Sequence, residues 1–223
     1  MSNPSESWQE PALALRRRLT EGHGRLLVLL ATTVVWVLDT LLVERLKQHH
    51  VVARNFDPLL DSFERLSTVV FVVVTIGLAV ALYRSRTEQL FRWALVYLVL
   101  AMMQVVANVV SMVSTGSKVK GGGLESLWDV GAVYMESVVV FMFIYIFLDV
   151  ATPGGAFVWP SREGEPPPIP HLIDYLFISL NVNSTFGPTS ETLMSRPAKV
   201  FMALQVLLAI LMLTVLIARA ASA

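Results

Sequence analysis

The chain has 223 residues, 55% of them hydrophobic and only 15% charged, whereas soluble domains usually carry about 25% charged residues. Its formal net charge is zero, which leaves no basic footprint for nucleic acid. It contains no cysteine, so disulfides, thiolate metal sites and cysteine nucleophiles are excluded.

The first 24 residues are polar to amphipathic, and Arg16, Arg17 and Arg18 precede the first apolar run. A spanning helix needs about 20 mainly apolar residues, and five stretches come close: 25–43, 68–83, 93–113, 127–150 and 198–218. The first run is long, carries Asp39 and lacks a small-x-small cleavage site. It therefore reads as a retained helix and not as a signal peptide. Residues 44–67 alternate charge with Phe56, Leu59, Leu60 and Phe63, a pattern that suits an interfacial segment. The histidines His23, His49, His50 and His171 form no spaced ligand set, and neighbours such as His49 and His50 diverge on a helix, so no metal site is expected. Residues 116–126 hold a glycine linker, and 151–170, rich in Pro and Gly, read as an irregular loop. The organisation is thus an N-terminal segment (1–24), a three-helix membrane region (25–115), a linker (116–126) and a C-terminal module (127–223).

Four polar side chains interrupt the apolar runs: Asp39 in the first, Gln104 and Asn108 in the third, and Glu136 in the fourth. An ionisable group at depth costs about 3 kcal/mol on insertion scales and is a functional candidate by default. Gln104 and Asn108, four residues apart, share a helix face and suit bonding between helices, the plainer role for all four. Arg84, Arg86 and Arg92 sit at a membrane edge, and no arginine ladder of the voltage-sensing kind runs through the first four spans. Paired carboxylates, a nucleophile elbow and a phosphate loop are all missing from the sequence, so no catalytic residues are expected and the chain does not read as an enzyme.

Residues 171–197 carry the functional signal. Their apolar part, Leu172 to Val182, is about 11 residues long, enough at ~1.5 Å per residue for about half the hydrocarbon core. The polar run Asn183, Ser184, Thr185, Gly187, Pro188, Thr189 and Ser190 follows, and then a full-length span. Half a helix, a polar stretch and a whole helix describe a re-entrant loop, which survives at membrane depth only inside protein or against a water-filled cavity. The short helix is expected to begin after Pro170, with Asp174 in its first turn against the positive end of the dipole.

This C-terminal third resembles the pore module of the potassium-channel superfamily, particularly bacterial proteins with the two-helix ion-channel domain. FISLNVNSTFGPTS (177–190) falls without a gap on the family's pore helix and filter, and LTVLIARAA (213–221) is close to the end of its inner helix. GAVYMESVVVFMFIYIFLD (131–149) looks like the outer helix. The family's filter replaces the hydration shell of potassium with backbone carbonyls. By position, Ser184 and Thr185 fall on its threonines, Phe186 on the valine or leucine, and Gly187 on the first glycine. Pro188 falls on the tyrosine, Thr189 on the second glycine and Ser190 on the aspartate. Half of the signature is lost, and a β-branched threonine resists the backbone angles of that second glycine. Ala209 stands where the family often has a hinge glycine.

The apolar runs give an all-α integral membrane protein with about five transmembrane helices plus a re-entrant pore helix; the resemblance implies assembly as a homotetramer in the lipid bilayer of a cell membrane, for instance the bacterial inner membrane. It implies weakly selective cation conduction past Ser184–Ser190, with Asn183, Glu136 and Ala209 beside the pore, no cofactor, and a monovalent cation as the permeant species. The alternative is a non-conducting, channel-like scaffold or partner subunit. A channel orientation puts Lys118 and Lys120 inside, as the positive-inside rule prefers. It also puts 84–92 outside, and the arginine-bearing N-terminus too if the first run crosses; if that run stays in the interface, the N-terminus is inside.

Overall fold

The computed structural model describes residues 87–115, 124–160, 168–184, 192–193 and 195–222, with shorter pieces between 33 and 84. Its elements are α1 (Thr87–Thr115), α2 (Leu124–Ala151), β1 (Phe157–Val158), α3 (Leu172–Asn183), β2 (Thr192–Leu193) and α4 (Arg196–Ser222). Among the described residues, α1, α2 and α4 are long and apolar enough to cross a membrane. At 29, 28 and 27 residues they measure roughly 40 Å each, more than the ~30 Å hydrocarbon core. They overlie the third, fourth and fifth expected spans and extend each at both ends, because the polar ends of a helix leave no hydropathic trace. The second expected span is helical at 69–70, 72–77, 79–81 and 83. It approaches α1 where Gly77 faces the Trp93 ring so closely that a Cβ would lie 2.7 Å from it. The first expected span is helical at 33–34, 36–37 and 40, while Asp39 and the His49–His50 pair lie outside the described residues.

The central element is α2: 61% of its most apolar stretch is buried, against 33% for α1 and for α4. Both neighbours run antiparallel to it. On α1, the Phe91 ring meets Phe147 at a tilt, with centroids 5.9 Å apart, and Asn108, further along, meets Glu136. On α4, the residue before the first turn, Ser195, is bonded to Ala156 just beyond the end of α2, and Gln205 meets Tyr145.

Local chemistry explains the boundaries. α2 stops at Thr152-Pro153-Gly154-Gly155, whose two glycines take φ of 82° and 85°, a left-handed conformation that side chains resist. Pro168 and Pro170 precede α3, where the Asp174 carboxylate accepts the His171 N–H at 2.6 Å; the start after Pro170 and the place of Asp174 are as expected. Ser195 caps α4, its Oγ accepting the Ala198 N–H at 3.2 Å, with Pro197 in the first turn, where its missing N–H costs nothing. The loop expected to be irregular contains a strand: Phe157 pairs with Leu193 and Val158 with Thr192, antiparallel. Two residues are too few for an alternating pattern to register in the sequence.

Candidate functional site

The buried face of α3 is Tyr175, Ile178, Ser179, Val182 and Asn183, spaced at i, i+3, i+4, i+7 and i+8 as one helical stripe. It lies along α2 in the opposite direction, between α2 and α4. The Tyr175 hydroxyl donates to Asp149 Oδ2 at 2.5 Å, Ser179 Oγ to the Val138 carbonyl at 2.8 Å, and Asn183 Nδ2 to the Tyr134 carbonyl at 3.4 Å. In one 12-residue helix the chain therefore moves from the end of α2 to about its middle. At Thr192 it is back beside β1, at the end it left.

Two polar clusters hold this excursion. The first surrounds Asp149, only 2% exposed, in the last turn of α2. Its Oδ1 accepts the backbone N–H of Ala156 at 2.6 Å and of Phe157 at 3.1 Å. Its Oδ2 accepts Trp159 Nε1 at 3.3 Å as well as the Tyr175 hydroxyl. A carboxylate at a helix C-terminus opposes the dipole, and these four donors offset that cost. Phe157 lies edge-on to Tyr145 (5.7 Å) and Tyr175 (6.1 Å), and Trp159 edge-on to Tyr175 (5.2 Å), the favoured aromatic geometry.

The second cluster lies deeper. Gln205 is fully buried. Its Oε1 accepts the Tyr145 hydroxyl at 2.5 Å. Its Nε2 lies 3.0 Å from the Ser179 carbonyl, 2.9 Å from Ser179 Oγ and 3.3 Å from Asn183 Oδ1. One turn beyond Gln205, Ala209 is also fully buried, and its small side chain suits close helix packing.

Of the residues singled out in the sequence, the structure brings Asn183 and Ser184 together at the end of α3. Asn183 is fully buried and bonded within the chain, to the Tyr134 carbonyl and the Gln205 amide. Ser184 is half-buried, its Oγ donating to the Leu180 carbonyl at 2.7 Å and lying 3.3 Å from the Tyr134 hydroxyl. Thr185, Phe186, Gly187, Pro188, Thr189 and Ser190 lie outside the described residues. Glu136 is buried and accepts Asn108 Nδ2 at 3.0 Å, so it bonds between helices on the side of α2 facing α1. The Asn183 side chain meets α2 at the Tyr134 carbonyl.

Asp149, Trp159, Tyr175 and Gln205 were not singled out in the sequence. Signals existed for two of them: an acid in a helix's last turn must find donors, and a lone amide in a long apolar run must find partners. Trp159 and Tyr175 join the site only through folding. Among the described residues no group of three or more metal-ligating side chains occurs. No protein-family model, no curated protein and no solved structure matches this chain.

Proposed function

We propose that this chain is the pore-forming subunit of an oligomeric cation channel of weak selectivity, with α2 as outer helix, α3 as re-entrant pore helix and α4 as inner helix. The observation that carries the reading is the path of residues 170–195. α3 starts level with Asp149, ends level with Tyr134, and the chain is next paired with β1 at the starting end. With α2 and α4 spanning, that path dips to about mid-membrane and returns, which a backbone does only inside protein or against a hydrated cavity. The C-terminus of α3 then lies at depth, where its partial negative charge favours a cation. The ion-facing groups in this reading are Ser184–Ser190, and Asn183 is their support. The helical pieces near 33–40 and 69–83 are the two remaining spans, giving five.

One copy supplies a single pore helix, too little to enclose an ion path, so several copies close a ring. The resemblance to potassium channels favours four, and the departures at Pro188, Thr189 and Ser190 favour a wider, hydrated pathway over a stack of coordinating carbonyls. Reconstitution into planar bilayers with opposed sodium and potassium gradients tests the proposal. The expected result is a current that reverses near zero voltage, from particles with fourfold symmetry. Intact oligomers that pass no current at any voltage would overturn it in favour of a non-conducting scaffold.

A further inference from the structure

Between Val200 and Ala218, α4 carries only two polar residues, Gln205 and Thr214. They are satisfied in opposite ways. Thr214 Oγ1 donates to the Ile210 carbonyl of its own helix at 2.7 Å, the usual solution for a hydroxyl in an apolar helix. Gln205 takes its partners from other helices: Tyr145 on α2, and Ser179 and Asn183 on α3. Its amide reaches the Ser179 carbonyl and the Asn183 side chain together, and so spans the last turn of α3. Asn183 is tied to α2 in turn through the Tyr134 carbonyl. The turn from which the Ser184–Ser190 run departs is thus clamped by α2 on one side and by a single amide of α4 on the other.

We propose that Gln205 is a positioning residue for the ion pathway: its amide ties the last turn of α3 to α4, and so fixes the point from which the Ser184–Ser190 run departs and bears on which ions pass. This rests on the channel reading above. An amide serving only as glue between helices would affect assembly and stability alone; a positioning amide also affects the run that follows Ser184.

The absence of cysteine makes a clean probe available. The full chain carrying Phe186→Cys is reconstituted in vesicles with and without Gln205→Met, which keeps the volume and removes both halves of the amide. Two quantities are read: the sodium-to-potassium permeability ratio, and the rate at which a water-soluble maleimide modifies the thiol. With the oligomer intact, Gln205→Met is expected to change both by about threefold or more, the scale of one buried hydrogen bond. Leu207→Met, at an exposed position of α4, is expected to change neither. Currents that persist with both quantities unmoved would overturn the inference and leave the pore standing. A modification rate that responds in a chain passing no current would overturn the pore and leave the clamp. Should Gln205→Met fail to assemble, Ser179→Ala, which removes one acceptor, must shift both quantities in a smaller step; no shift overturns the inference.

Discussion

The two polar clusters that hold α3 differ in kind. The outer one is built on a charge, Asp149, and two of its four donors are backbone N–H groups from the turn after α2. The inner one is built on a neutral amide, Gln205, and three of its four contacts are to side chains. Desolvating a carboxylate costs several kcal/mol even after relaxation, so a charge is best placed at a helix end where loop backbone can supply donors. At mid-depth the neighbouring backbone is already bonded within helices. An uncharged side chain with both a donor and an acceptor is the cheaper means of joining three helices there.

The largest effect should come from breaking the outer cluster. Asp149→Ala leaves the Ala156 and Phe157 N–H groups, the Trp159 indole and the Tyr175 hydroxyl without their acceptor, at a cost of about 3–5 kcal/mol. Gln205→Met takes the acceptor from the Tyr145 hydroxyl and a donor from Ser179 and Asn183, but no charged group takes part and Ser179 Oγ keeps the Val138 carbonyl, so a loss of about 2–3 kcal/mol is expected. Thermal unfolding of both variants in one detergent ranks them. A Gln205 variant less stable than the Asp149 variant would reverse the order argued from charge.

Much of this fold is legible in the sequence, and the limits have physical causes. Apolar runs locate α1, α2 and α4 because membrane crossing demands about 20 such residues in a row. α3 is legible because Pro170 and Asp174 mark its start and the polar residues from Asn183 mark its end. Asp149 is not, since it reads as the plain end of an apolar run, and its four donors come from the turn before β1, from β1, from Trp159 beyond it and from α3, a set only the fold assembles. Gln205 was open to notice as a lone amide, but its partners are 22 to 60 residues away, and spacing along one chain does not encode them. For Glu136, depth in a span marks a buried polar group, and the bond to Asn108 joins α2 to α1, the inter-helical role that the sequence offers for both residues.

A smaller effect is expected at the turn that aims the outer cluster. Gly155 has a φ of 85°, and a Cβ there would lie 3.0 Å from Asp149 Oδ1. Gly155→Ala therefore combines left-handed strain with crowding of the carboxylate, for about 1–3 kcal/mol. The strain predicts that stability is lost while α3 keeps its partners. If the change instead costs as much as Asp149→Ala, the turn and the carboxylate act as one unit.

The smallest effect should come at the deepest point of the comparison, where α3 ends. Tyr134→Phe removes a hydroxyl that lies 3.3 Å from Ser184 Oγ, a long contact for two oxygens. It leaves untouched the Tyr134 carbonyl that accepts Asn183 Nδ2, and Ser184 Oγ keeps the Leu180 carbonyl at 2.7 Å. Tyr134 is only half-buried, so water can replace part of what is lost, and a cost of about 0.5 kcal/mol is expected. Backbone and side chain of one residue are thereby separated: the carbonyl anchors α3, and the hydroxyl adds little. A fall in stability of the size expected for Gln205→Met would transfer the anchoring role from the Gln205 amide to the Tyr134 hydroxyl, and the inner cluster would then be centred on α2 and not on α4.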